Sequence, residues 1–262
     1  MKVMTFNLRS DSVFDGKNRW SRRKEVVYEI LNNYDCDIIG LQEVTLKMRQ
    51  DLESQLTHYH MIGQPRTKKF FVEHNNLLVS KRHKILEEET FWLSNQPNKM
   101  GSSIWYSIFP RICTTAKIQL ENGEVVRVYN THLDCYLSPA RQYGLKKILS
   151  YIEAQQKIEK LPIILMGDFN ANPNHRMIKD FLQGQFNQQR FVAVQEYDRS
   201  MYNKATMSRF KDREKGMHLD YIFVSLEYEV KHTKIIKDHI NGQFPSDHYP
   251  LFADVCLASS IE

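Results

Sequence analysis

A strand that ends in acidic and amide residues is encoded by PIILMGDFNANP, residues 162–173. The continuously apolar run 162–166 predicts a strand that is buried on both faces. Asp168 and Asn170 follow directly where this strand ends. The other predicted strand ends with acidic, amide or imidazole residues lie at Asn7, Glu43, His132 with Asp134, Asp220, and Asp247 with His248. One Asp after a strand is usually a turn residue or a helix cap, but six such ends predict one convergent site.

The periodicity of the whole chain predicts a mixed α/β fold. Strands are predicted at 2–6, 37–41, 76–80, 85–93, 112–120, 125–131, 162–166, 221–224 and 249–255. Helical spacing occurs around 26–31 and over 45–56, and Ser138-Pro139 predicts a long helix with Ser138 as its N-cap. The turn 121–124 contains Asn-Gly and predicts a hairpin. Short turns between strands exclude an all-parallel sheet, so we expect two packed mixed β-sheets with helices outside, in one domain spanning 1–262.

The composition is that of a globular protein. Hydrophobic residues make up 42% and charged residues 26% of the 262 residues, and the formal net charge is +5. The apolar runs are too short for a transmembrane helix, and the first segment does not resemble an export signal. The four cysteines form no CxxC pair, so we expect reduced thiols and a cytoplasmic location.

The residue types at the strand ends favour phosphoryl chemistry with a hard metal. Carboxylates and amide oxygens suit Mg²⁺, whereas a zinc site would contain more His or Cys. The sequence contains no GxxxxGK[ST] loop and no GxSxG elbow, which argues against a P-loop hydrolase and a serine hydrolase.

Six motifs resemble those of the endonuclease/exonuclease/phosphatase superfamily, which has the DNase I-like fold. They are TFNLR (5–9), LQEV (41–44), NTHLD (130–134), GDFNANP (167–173), HLDYIFVS (218–225) and SDHYP (246–250). The segments at 18–23, 90–94 and 110–113 are similar to a bacterial branch with mostly unassigned substrates. The pair Arg141-Gln142 is similar to the deadenylase/nocturnin group. The resemblance implies a four-layer sandwich, namely two β-sheets packed face to face between helices, with the site at one end.

The resemblance also implies a role for each matching residue. Glu43 is expected to be the main Mg²⁺ ligand, with Asn7 beside it and Asp247 supporting a second metal or the histidine loop. Asp168 is expected to orient or deprotonate the attacking water, and Asn170 to contact phosphate or metal. His248, held by Asp220, and His132, oriented by Glu73, are expected to face the phosphate. Arg111 is expected to bind phosphate, with a plain surface charge as the alternative, and Asp134 is placed with Arg111 and Glu73 among the substrate-binding residues.

The sequence therefore predicts a Mg²⁺-dependent phosphoesterase, with Mn²⁺ as a possible substitute. Hydrolysis of a phosphodiester in nucleic acid is ranked slightly ahead of hydrolysis of a small phosphorylated metabolite. A non-catalytic module that binds phosphorylated ligands is a third alternative. The basic clusters 21–24, 66–69 and 81–84 are either solvated faces or the flanks of a nucleic-acid track. Neither a membrane nor an obligate protein partner is expected. Specificity is expected in the loops 11–19, 65–75, 95–107 and 197–217.

Overall fold

The computed structural model describes residues 1–69, 72–186 and 188–258, and within these ranges the chain forms twelve β-strands and four α-helices. The strands are β1 (Lys2–Asn7), β2 (Ile38–Thr45), β3 (Tyr59–Ile62), β4 (Glu73–Ser80), β5 (Lys84–Trp92), β6 (Ile112–Gln119), β7 (Val125–His132), β8 (Ile163–Asp168), β9 (Phe191–Ala193), β10 (Asp220–Ser225), β11 (Tyr228–Ile235) and β12 (Leu251–Leu257). The helices are α1 (Trp20–Tyr34), α2 (Leu46–Gln55), α3 (Ser138–Ile158) and α4 (Arg176–Leu182).

Two mixed sheets pack face to face. Among the described residues each sheet has six strands, in the orders β11-β12-β1-β2-β4-β3 and β5-β6-β7-β8-β10-β9. The pairs β1–β2 and β7–β8 are parallel, and the other paired strands are antiparallel. This arrangement confirms the predicted sandwich of two mixed sheets with flanking helices.

The alternation of side chains along the central strands produces three apolar layers. Ile164 and Met166 of β8 point into the layer between the sheets, whereas Ile163 and Leu165 pack in the layer that contains α3 and α4 residues. The first sheet buries its outer face, including Met4, in a third layer with α1 and α2. Strand β8 is therefore buried on both faces, as its apolar sequence predicts.

Several elements were not predicted, and one cap was predicted wrongly. Strands β3, β9 and β11 and helix α4 are missing from the sequence-based assignment. The strands β3 and β11 lie at sheet edges and expose part of their residues, so their apolar patterns are weak. The N-cap of α3 is Leu137, not Ser138, whose hydroxyl instead lies 3.0 Å from Nε2 of His175. The hairpin turn at 121–124 is confirmed, and Gly123 there has a φ of 90°.

Candidate active site

The polar strand ends lie together at one edge of the sandwich. In the second sheet His132 pairs with Asp168, and Asp168 pairs with Asp220 across adjacent strands. In the first sheet Asn7 ends β1, next to the end of β2 that carries Glu43. The amide of Asn7 joins the two sheets, because its Nδ2 donates to Glu43 Oε1 and to Asp168 Oδ2, both at 3.1 Å.

Asp220 and His248 form a buried pair. Nδ1 of His248 lies 2.8 Å from Oδ2 of Asp220, and both side chains are almost fully buried. Burial alone would lower the pKa of His248, but the charge and the hydrogen bond of Asp220 raise that pKa well above its usual value. The bond at Nδ1 directs Nε2 toward Asp168, whose Oδ2 is 3.9 Å away. Asp220 therefore orients the imidazole toward the centre of the site.

Asp168 is the central carboxylate of the site. It accepts hydrogen bonds from the backbone N–H of Asn170 at 2.8 Å and from the Asn7 amide, and its Oδ2 lies 3.7 Å from Nε2 of His132. Burial, followed by repulsion from Asp220, raises the pKa of Asp168 to about 7. A carboxylate with a pKa near neutrality can both accept and release a proton at physiological pH.

Glu43 is held in an ionised state on a distorted strand. The register between β2 and β4 is irregular between Leu41 and Val44, and Glu43 itself has a φ of 60°. Burial would raise the pKa of Glu43, but electrostatic coupling to His132 and hydrogen bonds from the Ser10 N–H and the Asn7 amide lower it to about 2. The described residues give Glu43 no ion pair with a lysine or arginine, so its charge is available to a ligand.

The donor atoms at this edge suit a hard divalent cation. Glu43 and Asn7 offer carboxylate and amide oxygens, and Asp247 lies close enough for the Glu43 charge to raise its pKa. A second group consists of Asp168, Asp220 and His248, whose donor atoms lie within 4.8 Å of one another. In that group Oδ2 of Asp220 is already bonded to His248, but its Oδ1 is buried without a hydrogen-bond partner among the described residues. Glu43 has no ion pair with a lysine or arginine among the described residues, whereas a metal in the second group would have to displace the proton that the raised pKa of His248 favours.

His132 and Arg111 form the other side of the site. His132 is 6% exposed, and burial followed by the nearby Arg111 charge lowers its pKa well below the usual value. Arg111 is only 8% exposed, so the alternative of a plain surface charge is wrong. Its Nη2 lies 3.3 Å from Sγ of Cys135, and its Nε lies 4.0 Å from Oδ2 of the buried Asp134 without making a hydrogen bond in the part of the chain described. Arg111 therefore lies between the Asp134 carboxylate and a histidine whose pKa burial holds low.

Glu73 and Asp134 are engaged with neighbouring residues. Glu73 lies 2.9 Å from Nη1 of Arg66, and no hydrogen bond joins it to His132 within the described ranges, so the expectation that Glu73 orients His132 is not met. Burial raises the pKa of Glu73 to about 7 although Arg66 opposes this. Both carboxylate oxygens of Asp134 accept hydrogen bonds, from the Ser107 hydroxyl and from the N–H groups at 136 and 137. Asp134 thus holds the loop before α3.

Asn170 and Asp247 lie at the edge of the site. Nδ2 of Asn170 donates to the Leu133 carbonyl at 3.1 Å, which fixes the orientation of its amide. Asn170 has a φ of 49°, so the chain turns sharply after β8. Oδ2 of Asp247 lies 4.0 Å from Nε of Arg9. This guanidinium partly balances the buried Asp247 carboxylate.

Two arginines near the site were not identified as site residues from the sequence. Arg66 pairs with Glu73 and lies over the ring of Phe109 at 4.8 Å. Arg23, which the sequence placed in a surface cluster, is fully buried. Its guanidinium donates to backbone carbonyls of the loop after β1 and to the Pro245 carbonyl. It therefore ties the loop after Asn7 to the loop that carries His248.

The family model for the endonuclease/exonuclease/phosphatase family matches residues 4–248. The chain belongs to this family. The members of the family are phosphoester hydrolases. Family enzymes generally depend on a divalent metal, and the described residues include an acidic and histidine group able to hold one.

Proteins with different names resemble this chain. Nocturnin of Rattus norvegicus is 24% identical over 277 residues, which cover 95% of this chain and 63% of that protein. The chain thus spans less than two thirds of the length of this curated relative. A mannosyl-6-phosphatase of Bacteroides thetaiotaomicron has a TM-score of 0.88 at 25% identity, covering 98% of this chain and all of that one. The human nocturnin catalytic domain has a TM-score of 0.77 at 20% identity and covers 98% of this chain and 94% of that domain, which shows the shared fold.

Proposed function

We propose that this protein is a phosphatase that removes the phosphate group from a small phosphorylated molecule with the help of Mg²⁺, which Mn²⁺ can replace. Glu43, with Asn7 beside it, is the metal ligand in this proposal, and Asp247 supports it. When bound by these residues, Mg²⁺ would polarise the phosphoryl oxygen and offset the charge that grows on the leaving group.

The buried position of Arg111 is the observation that most supports this proposal. A phosphomonoester bears nearly two negative charges at neutral pH, whereas a diester bears one. The Arg111 guanidinium is buried with its Nε 4.0 Å from the Asp134 carboxylate, and because this Nε makes no hydrogen bond within the described chain, a phosphate oxygen can add a charged hydrogen bond to it. Arg66 adds a second buried positive charge whose field reaches His132. Glu73 and Asp134 partly balance these two charges, and the planar forks of both guanidiniums still match the oxygens of a terminal phosphate.

The remaining residues position the phosphate and the attacking water. Asp168 aligns the water and accepts its proton, which its pKa of about 7 permits. His248, oriented by Asp220, and Arg111 donate hydrogen bonds to the phosphoryl oxygens. His132 is neutral and lies beside Asp168, so it completes the phosphate pocket without adding charge. Asn170 contributes its fixed amide to the same pocket.

The positions of two of the three basic clusters favour a small substrate over nucleic acid, although the sequence ranks nucleic acid first. The cluster 81–84 follows the end of β4 that lies opposite the site. Because β4 has eight extended residues, this end is about 25 Å from the site. Arg82 there forms ion pairs with Asp35 and Asp37. In the cluster 21–24, Arg23 is buried and bonded to carbonyl groups. The likeness to a mannosyl-6-phosphatase also supports a phosphomonoester substrate.

A substrate panel tests the proposal. We would measure kcat/KM with Mg²⁺, with Mn²⁺ and with EDTA on glucose 6-phosphate, n-butyl phosphate, AMP, bis(p-nitrophenyl) phosphate, single-stranded DNA and RNA. We expect phosphate release from at least one monoester, at least about tenfold faster than cleavage of the diesters, and loss of activity in EDTA. Arg111→Met should lower kcat/KM on the monoester about 10- to 100-fold, the value of a charged hydrogen bond.

Matched variants separate the alternatives. Arg111→Lys keeps the charge but loses the planar fork, so its activity should fall between the wild type and Arg111→Met. Faster turnover of DNA, RNA or the diester would refute the monoester assignment. Phosphate-ligand binding without turnover of any ester would support the non-catalytic module instead. The cytoplasmic location and the lack of an obligate protein partner stay predictions, and no helix in the described ranges has the length and apolar character needed to span a membrane.

A further inference from the structure

A cleft of about 500 Å³ lies between the loop after β5 and the first turns of α3. It is lined by Ser94, Asn95, Gln96, Lys99, Ser102, Ser103, Ile104, Trp105, Tyr106 and Tyr143. This volume is typical of sites that bind small molecules. None of the catalytic residues lines the cleft, so its chemistry needs an explanation of its own.

The cleft is connected to the active site through the same loop. Ser103 and Ile104 line the cleft and also line a small neighbouring cavity, whose other walls include Arg111 and Asp134. Ser107, further along the loop, donates a hydrogen bond to Asp134 at 2.8 Å. The loop segment 103–107 therefore lies between the cleft and the side of the site that carries Arg111.

The lining combines aromatic rings with neutral polar side chains. Trp105 is 94% exposed, and its ring meets Tyr106 edge-on, with the centroids 5.2 Å apart and the planes at 83°. Because the two rings are perpendicular, they cannot sandwich a planar ligand between parallel faces. A nucleobase would therefore stack on only one of them. Tyr143 donates to Oδ1 of Asn95 at 2.6 Å, which leaves the Asn95 NH₂ directed away from that bond. Among the described residues that line the cleft, Lys99 is the one with a charged side chain.

Polar groups of the cleft lack partners inside the protein. Within the described ranges, the structure shows no hydrogen bond for the Gln96 side-chain amide, the Ser103 hydroxyl or Trp105 Nε1. These groups are solvated in the free protein and are ready to bond a ligand. A ligand with many hydroxyl groups would match the amides and hydroxyls, while its C–H face would cover the exposed indole.

We propose that this cleft binds the leaving group of the substrate and that this group is a sugar or a similar polyhydroxylated ring. The inference rests on the proposed phosphatase function and specifies its substrate class. Trp105 is the apolar platform, and Asn95, Gln96 and Ser103 bond the hydroxyls. Arg111 and the catalytic residues hold the phosphate at the other end.

Paired substrates test the inference. Glucose 6-phosphate and n-butyl phosphate share the phosphate but differ in the group that would enter the cleft. Trp105→Ala should lower the ratio of their kcat/KM values about tenfold, because the sugar loses its platform and the alkyl chain loses less. Ile158→Ala removes an exposed apolar side chain at the last residue of α3, at the opposite end of that helix from the cleft, and should leave the ratio unchanged. An unchanged ratio in Trp105→Ala, or an equal change in Ile158→Ala, would overturn the inference.

Tryptophan fluorescence gives a readout that does not depend on turnover. Trp20 and Trp92 are buried, so acrylamide should quench mainly Trp105. In the Asp168→Asn protein with Mg²⁺, glucose 6-phosphate should protect Trp105 from acrylamide, and inorganic phosphate alone should not. The protection should vanish in the Asp168→Asn, Trp105→Phe double variant. Protection by AMP but not by glucose 6-phosphate would show a nucleobase site and refute the sugar.

The two proposals fail in different ways. If no monoester is hydrolysed while nucleic acid is, the phosphatase function fails together with this inference. If monoesters are hydrolysed but sugar phosphates have no advantage over butyl phosphate and do not protect Trp105, only the sugar cleft is wrong.

Discussion

Replacing Asp168 with Asn should lower activity and raise stability at the same time. The substitution removes the group proposed to align the water, so kcat should fall by about 10²- to 10⁴-fold while KM changes little. Burial and the charge of Asp220 raise the pKa of Asp168 from 3.8 to about 7. This difference corresponds to at most about 4 kcal/mol of destabilisation once the carboxylate is charged.

The sign and size of the stability change follow from that pKa. The folded protein holds the Asp168 proton more tightly than the unfolded chain, so the penalty is near zero at pH 4 and complete above about pH 7. The substitution also costs about 1 kcal/mol or more, because the new NH₂ group would face the Asn7 amide. In the wild-type protein this amide donates a hydrogen bond to Oδ2 of Asp168. We expect a net gain on the order of 2 kcal/mol at pH 8, or about 4–8 °C in Tm, and a smaller gain at pH 5.

Calorimetric melting in EDTA at pH 5 and pH 8, together with steady-state kinetics in Mg²⁺, measures both effects. EDTA removes any cation that would relieve the repulsion between the carboxylates. A lower Tm at pH 8 than the wild type would refute the electrostatic reasoning. An increase in KM with unchanged kcat would make Asp168 a binding residue rather than the group that activates water.

Three further predictions concern the metal, the histidine pair and the backbone. Glu43→Gln keeps the shape but removes the charge, so isothermal calorimetry should show much weaker Mg²⁺ binding, and unchanged affinity would exclude Glu43 as the main ligand. His248→Ala should cost nearly as much kcat/KM as the double variant with Asp220→Asn, because coupled residues are not additive; losses that add would show independent roles. Gly167→Ala should destabilise the fold by more than about 3 kcal/mol in urea melts, because a Cβ there would lie 1.9 Å from the Thr131 carbonyl oxygen. A change below 1 kcal/mol would mean that the β7–β8 pairing relaxes easily.

The local pattern of the sequence was sufficient for the central strands and for the polar residues at their ends. The apolar run before Asp168 predicts a strand that is buried on both faces, and β8 is buried in this way in the structure. Turn chemistry also acts locally, and the hairpin at 121–124 formed as its Asn-Gly pair predicts. The edge strands β3 and β11 were missed because half-exposed strands leave little hydrophobic pattern.

The partners of the charged residues became clear only from the tertiary structure. Nothing in the local sequence distinguishes Arg23, which is buried under carbonyl groups of two loops, from its exposed neighbours. The partner of Glu73 is Arg66 rather than His132, and Arg111 is a buried group of the site rather than a surface charge. Ion pairs and buried cations depend on the register of strands that are far apart in sequence, whereas periodicity records only how much of each residue is buried. The sequence by itself therefore determined the sandwich and the residue types of its site, and the packing of the two sheets decided how those residues are paired.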